Sequence, residues 1–211
     1  MHIYYIIVRK PTVWRKTMNN YYNINAKDFF EGTVNADMSA HYAAFLEKLP
    51  KGAHILDAGC GSGRDSLYFK KLGYKITAMD ISTELCKLAS EHIGQEVLEL
   101  SFQDIAFEDT FEGVWACASL LHVPSIELPA IIGKLKKALK VDGVLFASFK
   151  YGDFEGERNG RYFCDLTEQK AEQIFTDLGF KVEKMWITGD VRPERSDELW
   201  INIFVKKACG R

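Results

Sequence analysis

Three glycines in five residues, Gly59-Cys60-Gly61-Ser62-Gly63, stand between a short strand-like run (53–58) and a helical stretch that carries Leu67, Phe69 and Leu72 to a stop at Gly73. Glycines at such a junction let the backbone approach a bound group closely and aim helix N-terminal N–H groups at it. The same alternation continues along the chain. The spacing of Met38, Tyr42, Phe45, Leu46 and Leu49 predicts a helix over 36–49. Strands are predicted over 74–79, 97–102, 113–118, 144–149, 180–188 and 199–206, with helices capped at Ser82 and Ser125 and a last helix starting near Thr167. Strands alternating with helices make a parallel sheet with right-handed crossovers. The last connection, 189–197, is too short for a crossover, so the final strand is expected to run antiparallel. With no repeat and no linker, the pattern is that of one α/β sheet.

Composition removes several functional classes. At 211 residues and 47 % hydrophobic content the chain can build a core without staples. Lys plus Arg is 27 against 29 acids, a net charge of −2, which gives no electrostatic footprint for nucleic acid. Lys134, Lys136, Lys137 and Lys140 fall toward the end of a predicted helix, where cations suit the helix dipole. The longest apolar run, 3–8, is far short of the roughly 20 residues of a membrane span. Cys60, Cys86, Cys117, Cys164 and Cys209 are scattered, without a CxxC pair or a histidine at zinc-ligand spacing. That usage fits a reducing compartment, the cytoplasm, and no metal site. The N-terminus lacks a basic leader and a small-residue cleavage site and is not read as a signal peptide. Residues 1–20 are expected to form an extension and 21–211 the folded domain.

The glycine cluster is not a dinucleotide fingerprint. In the G-x-G-x-x-G/A frame Arg64 would occupy the position where a small residue packs helix on strand. The pattern is instead D-x-G-x-G-x-G, led by Asp57. An acid there suits an ammonium group on a ligand, or braces the loop by accepting backbone N–H bonds. Asp80 closes the next strand, where a carboxylate accepts from both hydroxyls of a ribose; its other reading is a turn or helix-capping acid. Asp104, in Ser101-Phe102-Gln103-Asp104-Ile105, is placed to bond an adenine amino group, with Ile105 or Phe102 against the ring, or it is a plain loop acid. Asp80 and Asp104 together describe one nucleoside, with Asp57 on an ammonium group beside it or bracing the loop.

In order and spacing these motifs, with the Val141-Asp142-Gly143-Val144 turn, resemble class I S-adenosylmethionine-dependent methyltransferases over 21–206. The segments 61–69 and 115–123 are most similar to small-molecule methyltransferases of the tellurite-resistance type. The resemblance implies a Rossmann-like, doubly wound, seven-stranded sheet of order 3-2-1-4-5-7-6 with the last strand antiparallel. It also implies an enzyme that takes S-adenosyl-L-methionine and releases S-adenosyl-L-homocysteine. Gly59, Gly61 and Gly63 would then line the methionine part, Asp80 the ribose, and Asp104 with Ile105 the adenine. Asp57, Cys60, Ile81, Gln103 and Ala118 complete the implied cofactor set. Arg64 reaches the cofactor carboxylate or is a surface charge of its helix.

Enzymes of this family acting on base amines often carry an Asn/Asp/Ser-Pro-Pro-aromatic motif where this chain has Ala118-Ser119-Leu120-Leu121. That departure and the charge balance disfavour nucleic acid and favour a small-molecule acceptor. A catalytically silent protein that binds the cofactor is the second reading. His122 is the one histidine placed near the transferred methyl, as a base or as a packing and orienting group. Tyr21 and Tyr22 form a lid or ordinary packing. Tyr151, Arg158 and Arg161, in an unusually long loop, with Arg192, offer partners for an anionic acceptor or belong to a solvated surface.

Overall fold

The computed structural model describes residues 11–192 and 195–208. Nine strands form among the described residues: β1 (His54–Ala58), β2 (Lys75–Asp80), β3 (Val97–Glu99), β4 (Phe111–Ala116), β5 (Leu139–Lys150), β6 (Glu155–Arg158), β7 (Arg161–Cys164), β8 (Phe180–Gly189) and β9 (Leu199–Lys207). Seven of them make one sheet in the order β3-β2-β1-β4-β5-β9-β8. All its neighbours are parallel except at β9, which runs antiparallel to both β5 and β8. With the β6–β7 hairpin set aside, this is the expected seven-stranded, Rossmann-like order. The hairpin lies in the stretch read from sequence as a loop.

Both faces of the sheet are covered, which is why its central strands are apolar nearly throughout. On one face Trp115 stacks on Phe146 at 4.1 Å between ring centres, packed with Phe45 and Phe69. Phe45 comes from helix α3 (Ser39–Leu46) and Phe69 from α4 (Arg64–Lys71). On the other, Leu56, Val114 and Leu145 meet Ile131, Ile132 and Leu135 of α6 (Leu128–Ala138) and Phe175 of α7 (Glu168–Asp177). The predicted Ser82 cap forms, its Oγ accepting from Leu85 N at the head of α5 (Thr83–Ile93), and at the head of α7 Thr167 Oγ1 accepts from Lys170 N. Ser125 caps nothing. Helix α6 begins three residues later, and Ser125 donates to the Glu155 carboxylate from Oγ at 2.7 Å and from its backbone N at 2.8 Å.

The N-terminal boundary is corrected. Helix α1 (Pro11–Ile24) buries Trp14 and Met18 in the same core as β1, β2 and β4, and Trp14 Nε1 donates to Glu127 Oε1 at 2.7 Å. Trp14, Met18, Tyr21 and Tyr22 lie at i, i+4, i+7 and i+8, so one stripe of α1 is tied to the domain. Residues 14–20 therefore pack with it and are not an extension; 1–10 lie outside the described residues. Helix α2 (Ala26–Thr33) continues from α1 across the strand ends. Among the lysines of α6 and its end, Lys134 and Lys136 donate to backbone carbonyls of Ile105, Leu178 and Gly179, and Lys140 pairs with Glu112 at 2.5 Å. No helix among the described residues is long and apolar enough to cross a membrane, and none of their His, Cys, Asp and Glu side chains form a group able to hold a metal ion.

Candidate active site

Two cavities open at the C-terminal ends of the parallel strands, where ligands bind in open α/β sheets. The larger has a volume of about 420 Å³. The narrower one reaches toward β2, Phe102 and α1. Tyr22, Phe29, Gly59, Gly61, Ala118 and His122 line both and form the junction between them.

The glycine turn after β1 makes this junction possible. Gly59 has φ +84°, and a Cβ there would lie 2.6 Å from Ser119 Cβ; Gly61 has φ +55°, and its Cβ would lie 3.0 Å from Phe29. Both positions require glycine for conformation and for space. Gly59 and Cys60 N–H groups donate to Met79 O at 2.9 Å, fixing the turn to the end of β2. Gly63 has another role. It lines neither cavity, and a Cβ on it would meet Ile93 and Ala89 at 2.8 and 3.1 Å, so it permits close packing of α4 on α5.

Asp80 lies at the edge of the narrower cavity, beside Ile81, with one oxygen accepting from Gly61 N at 3.0 Å and the other from Ser82 N at 2.9 Å. Burial raises its carboxyl above the usual range against the pull of those N–H groups. Each oxygen keeps a second lone pair for a ligand. Gln103 lines the same cavity and donates to Glu127 Oε2 at 3.1 Å.

Besides Gly63, three expected cofactor residues are not brought to either cavity. Asp57 is buried beneath the turn and accepts from Ser66 Oγ of α4 at 2.7 Å. Burial, with the Asp65 charge beside it, pushes its carboxyl up to about 8. It is therefore a brace, on a side-chain hydroxyl where backbone N–H bonds were expected. Asp104 turns outward to Ser101 and to Arg15 of α1 at 3.1 Å, and Ile105 is buried in the core. Phe102 and Gln103 of the same turn reach the cavity instead, joined by Trp14 and Met18.

In the larger cavity Cys60, Arg64 and Ala118 form the wall by the glycine turn. Arg64 grips Asp65 through Nε at 2.6 Å and Nη2 at 3.0 Å, and Asp65 also accepts from Tyr42 at 2.5 Å and Trp115 Nε1 at 2.7 Å. Burial would raise the Asp65 carboxyl, but Arg64 and these donors outweigh it and hold it below the usual range. Ala118, with φ +50°, donates its N–H to Ser148 Oγ at 2.8 Å.

His122 stands at the junction with both ring nitrogens engaged, Nδ1 to Tyr162 O at 2.6 Å and Nε2 to the Tyr22 hydroxyl at 2.7 Å. Burial, reinforced by Arg161, lowers its pKa to about 4. The ring is neutral at pH 7, so Nδ1–H donates to the carbonyl and Nε2 accepts from Tyr22. Burial also pushes the Tyr22 hydroxyl up to about 12. Tyr21 lines neither cavity; its ring lies under the hairpin turn, 5.2 Å from the Arg161 guanidinium.

Tyr151, Arg158, Arg161 and Arg192 all line the larger cavity. Arg158 is paired with Asp165, and Arg192 bonds both Asp190 oxygens at 2.9 and 2.7 Å. The sequence reading passed over Asp65, Phe29, Lys150, Trp200 and Asn202 on the same walls. Lys150, at the end of β5, pairs with Glu198 and stands 4.2 Å from the centre of the Trp200 ring.

Residues 56–147 match the family model described as a methyltransferase domain. A ubiquinone biosynthesis O-methyltransferase of Xanthomonas axonopodis is 36 % identical over 106 residues, 47 % of this chain and 44 % of that protein. A malonyl-[acyl-carrier protein] O-methyltransferase of Pectobacterium atrosepticum is 34 % identical over 104 residues, 48 % of this chain and 40 % of that protein. The chain thus spans less than half the length of these curated relatives. Among solved structures, the Burkholderia thailandensis 1,6-didemethyltoxoflavin N1-methyltransferase, bound to 1,6-didemethyltoxoflavin and S-adenosylhomocysteine, superposes with a TM-score of 0.80 at 19 % identity. That match covers 96 % of this chain and 92 % of the other.

Proposed function

We propose that this protein transfers a methyl group from S-adenosyl-L-methionine to a small molecule held in the larger cavity, a reading supported by the match of residues 56–147 to the methyltransferase-domain model and by the sheet order. The observation that carries the reading is the junction: a glycine turn that only an unbranched backbone can make, opening on one side to Asp80 and on the other to a space of about 420 Å³. When bound, S-adenosylmethionine supplies an electrophilic methyl on a sulfonium. Asp80 would hold the ribose, Ile81, Phe102 and Gln103 would enclose the base, and Gly59, Gly61 and Arg64 would border the methionine part. Residues at the junction then exclude water and align the acceptor, and alignment supplies much of the rate of such a displacement.

The larger cavity suits a small molecule in size and in its mixed walls. Its arginines fit an acceptor with an anionic group, in line with the tellurite-resistance-type resemblance to small-molecule enzymes. The experiment is a turnover assay for S-adenosylhomocysteine with a deproteinised metabolite extract as acceptor source. Product above the no-extract control is expected. Binding of S-adenosylhomocysteine with no turnover on any fraction would favour a silent cofactor-binding protein.

A further inference from the structure

Among the described residues, Tyr22 and His122 are the titratable side chains that line both cavities, and each is engaged by the other. His122 has both nitrogens occupied, and the Tyr22 hydroxyl is given to His122. Asp80 lines the narrower cavity alone, on the side away from the acceptor space. Along the larger cavity each acid is held by a cation: Asp65 by Arg64, Asp165 by Arg158, Asp190 by Arg192, and Glu198 by Lys150. The thiols of Cys60 and Cys117 are pushed up by burial. His41, the other imidazole on the wall, lines the larger cavity alone and not the junction; its Nδ1 is buried without a hydrogen-bond partner, and burial lowers its pKa.

Among the described residues two cations of the larger cavity, Arg161 and Arg195, are paired with no carboxylate, and Arg161 is the one that stands by the junction. Arg161 lies beside the Tyr22 hydroxyl, its guanidinium 5.2 Å from the Tyr21 ring centre and 5.1 Å from that of Phe163. Its Nε is buried without a partner, and no carboxylate among the described residues is paired with it. A planar cation set between rings next to the reacting centre, with no internal counter-ion, matches an incoming carboxylate in charge and in fork geometry.

We propose that the acceptor is a carboxylic acid whose methylated atom is a carboxylate oxygen held by Arg161, with no protein base taking part. This rests on the methyltransferase reading above. A carboxylate oxygen forms the new O–CH3 bond as the S–CH3 bond breaks, and that bond's electron pair passes to sulfur. The carboxylate and sulfonium charges cancel, and no proton moves. A neutral alcohol or protonated amine would need a base that this junction does not offer.

Methyl-tritiated S-adenosylmethionine incubated with the protein and a metabolite extract tests the accepting atom. A methyl ester releases its label as volatile methanol in mild alkali, so most of the transferred label is expected to distil after alkali and little before. Alkali-stable label would overturn the carboxylate assignment while leaving methyl transfer intact. No transfer at all would instead remove the reading on which it rests. A second measurement needs no turnover: titration calorimetry of the S-adenosylhomocysteine complex with aliphatic and aromatic monocarboxylates, each beside its primary amide. Acids are expected to bind where amides do not, with at least ten-fold loss in Arg161→Gln, partial recovery in Arg161→Lys, and S-adenosylhomocysteine affinity held within about two-fold. Acids that bind no better than their amides, or that bind Arg161→Gln as they bind the wild type, would overturn the proposal.

Discussion

Asp80→Asn isolates the nucleoside half of the site. Each Asp80 oxygen accepts one backbone N–H, from Gly61 at 3.0 Å and Ser82 at 2.9 Å, and each has one lone pair left toward the narrower cavity. Asparagine keeps the shape but offers a single acceptor and sets an amide NH2 against one of those donors. A ribose hydroxyl would lose a charge-assisted bond, about 1.5–3 kcal/mol, or roughly ten- to hundred-fold in Kd. The cost to folding should be smaller, because burial already opposes the ionised carboxyl and the substitution removes that opposition. Titration calorimetry with S-adenosylhomocysteine, alongside a melting curve, reads both quantities. Ionised Asp80 is the better acceptor and its carboxyl is raised, so wild-type affinity should fall as pH drops through a window above the usual carboxylate range. The variant should show no such slope. An unchanged Kd in a folded Asp80→Asn protein would refute the assignment.

Other consequences follow from single contacts. Gly59→Ala puts a Cβ 2.6 Å from Ser119 Cβ at φ +84°, so urea unfolding should show a loss of about 2 kcal/mol or more, with S-adenosylhomocysteine binding impaired. Trp14→Ala should cost about 3 kcal/mol in the same assay and weaken S-adenosylhomocysteine, since Trp14 is 9 % exposed and lines the narrower cavity; a silent substitution would return α1 to the status of an appendage. Asp57 keeps its proton in the folded state up to about 8 but releases it near the ordinary carboxylate value when unfolded, so its contribution to stability is lost as pH rises between the two. Asp57→Asn should flatten that decline in melting temperature and change S-adenosylhomocysteine affinity by less than about three-fold.

The parts of the molecule written in local pattern were legible in the sequence. The alternating parallel sheet and its antiparallel last strand followed from the alternation of elements and the short last connection, the strand order from the family resemblance, and Asp80 from its place at a strand end. Side chains whose direction depends on a distant partner were not. Asp104 faces Arg15, 89 residues away, and nothing in its own loop says so. Gly63 serves Ile93 and Ala89, a contact set by how α4 meets α5. Trp14 and Met18 belong to the core through a helix whose apolar stripe, Trp14, Met18, Tyr21 and Tyr22, runs across the boundary expected after residue 20. The β6–β7 hairpin carried a readable signal: Asn159-Gly160, with φ of +50° and +75°, is the preferred pair for a tight hairpin turn, and it joins two short strands. The paired walls around Lys150, Asp190 and Glu198 come from elements far apart in the chain and are visible only in the fold.

The central claim is that the glycine turn and Asp80 serve S-adenosylmethionine and not a dinucleotide. Titration calorimetry of the purified protein with S-adenosylhomocysteine and, separately, with NAD tests it most directly. The predicted result is saturable one-to-one binding of S-adenosylhomocysteine and no heat from NAD; saturable binding of NAD with no response to S-adenosylhomocysteine would contradict it.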